Sequence, residues 1–370
     1  MGSAEVQRAG VRRRVAMVAH SHVLGGIEQH VVTLSAELAR QGHAVAYAGP
    51  SDGWLGAQMR AAGHTCIDLP MNGMYDPVSA WRLARFARRW GADVLHGHAL
   101  RGGRYADWAG RWSGVPAVAT AHSTNAWKWF SPRRRLIAVS EAVRGFLLDK
   151  GLPAELVRVV YSGVPDVGPM PAPDGAALSP QRPLVLGMIA RFEAVKGHDL
   201  ALRALAELGP GLPVRLRLAG ADTTAWGREV HAQVQALGLG EVVEFLGQRS
   251  DVPDVLARLD VVLAPSRRES LCLSLVEAGA AGRPGIAARV GGIPEVLGED
   301  EGGLLVPPED PHALAGAIRR LAAQPALRLA LGAAARRRYE QRFTLAAMRE
   351  GVEAVYDAAI HAGGSPGKSA

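Results

Sequence analysis

The stretch DVVLAPSRRESLCLSLVEAGAAGRPGIAARVGGIPEVL (260–297) holds the fold in miniature. An apolar, β-branched run (DVVLAPS, 260–266) gives way to a polar loop. A small-residue helix (LSLVEAGAAG, 273–282) stops at Gly282, and a second apolar run follows (PGIAAR, 284–289). Strand, crossover helix and strand in this order, with both strands apolar through their centres, predict parallel pairing in a sheet covered on both faces. A tight turn, Gly291-Gly292-Ile293-Pro294-Glu295, closes the next strand-to-helix connection. Two acids, Glu269 and Glu277, frame the start of the helix.

Working outward, the same alternation recurs. Strand-like runs fall at 15–20, 44–49, 93–98, 117–122, 136–140 and 157–163, with helical patterns such as IEQHVVTLSAELARQG (27–42) and PVSAWRLARFARRWG (77–91) between them. DVGPMPAPDGAALSPQRP (166–183) breaks the pattern; its Pro, Gly, Ala and Ser carry no periodicity and mark a linker. The alternation restarts at 183–191, 214–220 and 242–247, leading into the opening stretch. At 370 residues the chain exceeds one ordinary core. The expected organisation is an N-terminal domain (1–165), the linker (166–183), a C-terminal domain (184–343) and a last helix within 344–370 that packs back on the N-terminal domain, with HAGGSPGKSA as a frayed tail.

The composition, 48% hydrophobic and 21% charged, is that of a packed globular protein. A net charge of +7 favours anionic partners, although no recognised nucleic-acid module accompanies it and nucleic acid is not expected. Two cysteines, Cys66 and Cys272, without a Cys/His cluster argue against a disulfide framework or structural zinc. No signal peptide and no run of eighteen apolar residues is seen, so the expectation is a cytoplasmic protein, peripheral on the inner face of the membrane if it meets lipid.

Ligands of open α/β sheets bind beyond the carboxyl ends of strands, and the loops there are informative. Gly25-Gly26, after the first strand, lets backbone amides approach an anion at a helix start, although VLGGIE lacks the G-x-G-x-x-G spacing and an ordinary tight turn is an equal reading. Arg191 and Lys196, on a loop after the first strand of the second half, suit a diphosphate; two solvated surface cations is the alternative. Glu269 and Glu277, with the first-turn amides of Leu273 and Ser274, offer a polar pocket meeting phosphate and hydroxyls together.

Taken with these, HGHAL (96–100), TAHS around His122, AVSEAVR (138–144), YSGVP (161–165), GMIARFEAVKG (187–197), the E-x7-E pair and GGIPE occur in the order seen in glycosyltransferase family 4, which the chain resembles over almost its whole length. The resemblance implies a GT-B fold, two Rossmann-like parallel-sheet domains facing across a cleft. It implies a retaining hexosyltransferase-type enzyme that moves a sugar from a nucleoside-diphosphate sugar to a hydroxyl acceptor in glycolipid, polysaccharide or natural-product glycoside synthesis. Arg191 and Lys196 would bind the diphosphate, and Glu277 the ribose. Glu269 would lie near the donor sugar with the amides of Leu271, Cys272, Leu273 and Ser274; His122 would contact the sugar's primary hydroxyl, and Gly25 and Gly26 would lie beside the phosphates. His122, Glu269, Arg191 and Lys196 are the expected catalytic group. Cations and helix dipoles can stabilise the departing diphosphate, and no D-x-D motif stands in the right setting, so neither metal nor cofactor is expected. Another GT-B enzyme such as an epimerase, or a non-catalytic nucleotide-sugar-binding subunit, is the competing reading.

Ser270 and Cys272 depart from the family's usual glycines, and Gly285 stands where a buried strand usually has a β-branched residue. The acceptor side says less. TNAWKWFSPRRR (124–135) interleaves aromatics and bases that could meet a membrane surface or lipid-linked acceptor, or form a partly buried loop flanked by solvated arginines. The basic helix at 77–91 has an ordinary amphipathic explanation.

Overall fold

A computed structural model of the chain describes residues 11–22, 25–170 and 178–363. The first ten residues, part of the expected linker (171–177) and most of the expected tail (364–370) lie outside that set. The chain divides into two compact units, one within Met1–Val139, Arg144–Val160 and Arg349–Ala370, the other Ser140–Val143 and Tyr161–Met348.

In the first unit, strands β1 (Arg14–Val18), β2 (Ala44–Gly49), β3 (Thr65–Asp68), β4 (Val94–His98), β5 (Ala117–Ala121), β6 (Arg135–Ala138) and β7 (Val157–Val159) form one sheet in the order β3-β2-β1-β4-β5-β6-β7. Every pairing is parallel. Its helices are α1 (Gly26–Arg40), α2 (Trp54–Ala61), α3 (Pro77–Trp90), α4 (Ala99–Ser113) and α5 (Glu141–Asp149), whose first three residues are grouped with the other unit. Ala16, Val18, Leu95 and Tyr105 are fully buried with Leu83 of α3. The ends of α3 follow from its sequence: Asp76 accepts a bond from the Ser79 amide (3.0 Å), Pro77 opens the first turn, and Gly91 closes it in the left-handed conformation.

The second unit repeats the plan. Strands β8 (Leu184–Ile189), β9 (Val214–Ala219), β10 (Val243–Gly247), β11 (Val261–Ala264), β12 (Gly285–Ala288) and β13 (Gly303–Val306) pair in parallel in the order β10-β9-β8-β11-β12-β13. Around them lie α6 (His198–Leu208), α7 (Ala225–Ala236), α8 (Val252–Ala257), α9 (Leu273–Ala280), α10 (Ile293–Leu297), α11 (Pro311–Ala323) and α12 (Pro325–Arg342). Leu186, Leu218, Val261, Leu263, Ile286 and Ile318 centre the core. The last helix, α13 (Leu345–Gly363), belongs to the first unit from Arg349 onward. There Tyr356 bonds to His96 Nδ1 (2.7 Å), Glu353 to His43 (2.8 Å) and Asp357 to Arg13.

The second sheet has the 3-2-1-4-5-6 order and the first has the same order with a seventh strand added; the direction reverses between β1 and β4 and between β8 and β11. Loops leaving the carboxyl ends of those strands surround the switch point where such sheets bind ligands. Several details differ from the sequence reading. β3 and β13 carry no strand signal of the expected kind: TCID is polar and half exposed, while GLLV is a four-residue run behind two glycines. The 124–129 segment is a 3-10 helix, and residues 361–363, assigned to the tail, continue α13. Gly285 has a packing reason. A Cβ there would sit 2.7 Å from Leu275 Cδ2 and 3.0 Å from Leu297 Cδ2, so the small residue admits two leucines where a β-branched side chain has no room.

Candidate functional site

In the second unit, the loop after β8 runs Arg191 to Gly197 and closes with a 3-10 turn, Ala194–Lys196. Gly197 is required there. Its φ is +75°, and a Cβ would lie 2.1 Å from the carbonyl oxygen of Pro265 at the end of β11. The two switch-point loops are thus pressed together, and the Arg267 amide bonds to Val195 O (2.8 Å). Arg267 then forks onto Asp199 (2.9 and 2.8 Å) and reaches Ala194 O (2.6 Å).

This clamp sets Lys196 against Glu269, Nζ to Oε1 at 2.7 Å, and Ser266 Oγ donates to the same carboxylate oxygen at 3.0 Å. Burial disfavours the Lys196 charge, but Glu269 outweighs it and the lysine pKa is raised, so the ammonium persists. Arg191 is largely exposed and pairs with Glu193 (2.7 Å).

Behind Glu269, Leu271 and Cys272 are buried, and Cys272 precedes α9 with φ +79° and ψ +79°. That left-handed position is one a glycine fills without strain, which accounts for the family's preference. Burial pushes the Cys272 thiol up to about 12, so it stays protonated. The amides of Leu273 and Ser274 have no acceptor among the described residues. One turn further, the Glu277 carboxylate has no hydrogen-bond partner among them either, and desolvation raises its pKa to about 7. The Gly291-Gly292 turn rests on this loop: Cβ atoms would meet Glu269 O at 1.7 Å and Ser270 O at 2.3 Å. Arg191, Lys196, Glu269, Glu277 and residues 271–274 therefore share one end of one sheet.

In the first unit, Gly25 is the extended residue before α1 and Gly26 begins it. The Glu28 carboxylate lies beside them, 2.9 Å from where a Gly25 Cβ would be. His98 ends β4, and His122 follows β5. His98 Nδ1 is 3.2 Å from His122 Nε2, and the His30 ring of α1 stands edge-on to His122 at 4.7 Å. Burial holds His98 and His122 well below 6.5 and His30 at about 4, so all three imidazoles are neutral at pH 7. Ring nitrogens of this trio lie within 4.8 Å of one another, the spacing among the described residues that could admit a metal ion. His96 is fully engaged, with Tyr356 and with Thr120 Oγ1 (2.7 Å).

Residues 24–166 match the family described as Glycosyltransferase Family 4, and 174–338 match Glycosyl transferases group 1. A phosphatidyl-myo-inositol mannosyltransferase of Mycobacterium leprae is 31% identical over 348 residues, covering 86% of this chain and 90% of that protein. This chain belongs to glycosyltransferase family 4. A D-inositol 3-phosphate glycosyltransferase of Saccharomonospora viridis is 32% identical over 291 residues, 68% of this chain and 67% of the relative. The fold of this family 4 glycosyltransferase is shared with a Rickettsia africae glycosyltransferase (TM-score 0.82, 20% identity, 95% and 99% covered). Anabaena HepE in complex with UDP and glucose is similar too (TM-score 0.81, 22% identity, 94% and 100% covered).

Three features of the glycosyltransferase escape a reading of the sequence. Arg267, two residues before Glu269, is the clamp; one of two adjacent arginines in a loop carries no signal of its partners. Glu28 sits at the Gly25 turn, where it suits the helix dipole and opposes a phosphate. His30 and His98 surround His122, and the HGHAL motif carries no sign of either contact.

Proposed function

We propose that this family 4 glycosyltransferase transfers a sugar from a nucleoside-diphosphate donor to a hydroxyl acceptor with retention of configuration. One observation carries the reading: Lys196, the acceptor-free amides of Leu273 and Ser274 and the unpartnered Glu277 carboxylate share one sheet end. A diphosphate supplies acceptors for the first two, and ribose hydroxyls supply donors for the third. The complex of Anabaena HepE with UDP and glucose supports a donor of this class.

On this reading, diphosphate draws Lys196 from Glu269 and Arg191 from Glu193. Glu269 is freed to accept sugar hydroxyls. The sugar–phosphate bond breaks as the acceptor oxygen bonds to the same face of the anomeric carbon, and the acceptor's proton passes to the departing phosphate oxygen. Arg191, Lys196 and the start of α9 stabilise the charge that accumulates there, the task that a metal would otherwise perform. His122, as a neutral imidazole, accepts or donates one hydrogen bond to a sugar hydroxyl. The relatives' names point to inositol-bearing acceptors, and Arg101 gives the first unit a cation with no carboxylate partner among the described residues; its Nη1 lies 2.6 Å from His20 Nε2. A phosphorylated polyol is therefore the acceptor class to test first.

A melting-temperature screen with uridine, guanosine and adenosine diphosphates and their sugar conjugates tests the donor, since a ligand at about a hundred times its Kd adds about 2.7 kcal/mol. Stabilisation by one base series is expected. No shift with any of them would overturn the reading.

A further inference from the structure

The geometry points to an anionic lipid surface as the partner of one face of the first unit. This rests on surface chemistry alone and stands apart from the donor site. Tyr75 (68% exposed), Val78 (64%), Trp81 (53%) and Trp112 (47%) are among the few large apolar side chains left open to solvent, and they fall together. Tyr75 precedes α3, Val78 and Trp81 lie on it, and Trp112 is in the last turn of α4, the helix packed beside it. Arg88 Nη1 joins the two helices by donating to Trp112 O (3.3 Å).

The exposed positions of α3 after its first residue are Val78, Trp81, Arg82, Arg85, Arg88 and Arg89. Their three-to-four spacing makes one stripe, while Ala80, Leu83, Ala84 and Ala87 fill the opposite, core-facing side. The stripe holds two apolar side chains and four arginines, with no acid, amide or hydroxyl. None of those arginines forms an ion pair among the described residues; Asp68 is the acid whose carboxyl feels Arg82. Arg85 lies over the Trp81 ring at 5.6 Å.

Four guanidinium groups without an ion pair among the described residues attract anions, and Trp and Tyr with an apolar body and a polar edge suit the headgroup layer. The stripe offers hydrogen-bond donors and no acceptor, so its occupant must present anionic acceptors along the whole face. Arginine stems can lie along the acyl boundary while their heads meet lipid phosphates. The loop bearing Tyr75 leaves the carboxyl end of β3. Because the sheet is parallel, this is the end that carries His98 and His122. By contrast, the 124–135 segment, for which the sequence left membrane contact and a partly buried loop both open, turns Phe130 into the core and places Lys128 and Lys150 over the Trp127 ring.

The test is co-sedimentation of the full chain with vesicles of phosphatidylcholine, alone or mixed with phosphatidylglycerol. Binding should be at least about tenfold stronger to the anionic vesicles in low salt and should fall as salt rises. R82E/R85E should reduce binding to the phosphatidylcholine level with unchanged melting temperature and unchanged response to nucleotide, and Trp81→Ser should weaken binding at both salt concentrations. Lys128→Glu should leave binding intact. Equal binding to both vesicles, wild-type binding by R82E/R85E, or loss through Lys128→Glu would each overturn the assignment. So would capture by heparin or DNA without capture by vesicles.

Discussion

The two sheet ends that carry the predicted site residues have opposite electrostatics. At the first, buried imidazoles are stripped of charge: His122, His98 and His30 are neutral across the physiological range. At the second, charges are kept and closed on each other, Lys196 on Glu269 and Arg191 on Glu193. A neutral end can exchange hydrogen bonds with a ligand, and its charge does not change near pH 7. A charged end holds its cations in place on internal carboxylates, and on the proposed function a diphosphate displaces them.

The sharpest way to break this contrast is to remove the charge. Lys196→Ala should lower kcat/KM by about a thousandfold while the protein stays folded, as loss of one preorganised donor to a departing oxyanion does. A loss below about tenfold in steady-state assays would put the leaving-group charge elsewhere. Next comes the frame that holds the charged end. Gly291→Ala forces a side chain into a φ of +51° and against Glu269 O, and should destabilise by about 3 kcal/mol, read as a denaturant midpoint.

Glu277 sharpens the contrast through pH. A carboxyl raised from 4.5 to about 7 holds its proton more tightly in the folded chain. Its penalty to folding therefore grows as pH rises from 4.5 to 7 and is complete above, amounting to about 3 kcal/mol. Glu277→Gln should raise the melting temperature at about pH 8, leave it unchanged at about pH 4, and weaken nucleotide binding. In the parent enzyme, nucleotide affinity should strengthen as Glu277 ionises through about 7, with no further step from His122, whose pKa lies well below 6.5. The smallest effect is at Cys272, where Cys272→Gly should stabilise by about 1 kcal/mol by releasing the left-handed strain. A decrease in melting temperature would mean that thiol packing outweighs strain.

Much of the fold is legible in the sequence, and the reason is burial. β11 and β12 are buried along their whole length and β1 from Val15 onward, so each reads as an apolar run. β3 lies at the edge and shows no such run. The grouping of the second unit's predicted residues is also readable, because each lies on a loop or helix that follows a strand near the switch point. Pairing is not: nothing at positions 196 and 269 tells that the ammonium and carboxylate meet at 2.7 Å, since seventy-three positions separate them. Glycines behave likewise. Gly197 reads as a helix start, but its proximity to Pro265 is a tertiary fact, as is the leucine pair that excludes a larger residue at Gly285.

The contacts of Gly291 and Gly292 with the backbone of Glu269 and Ser270 have a consequence for anyone wishing to retarget the enzyme. The two loops are shaped to each other at the level of main-chain atoms, so a 269–272 segment borrowed from a relative arrives without its matching floor. Donor specificity should then be inherited in pairs of loops, and chimeras that exchange 265–273 together with 289–295 should fold where single exchanges fail.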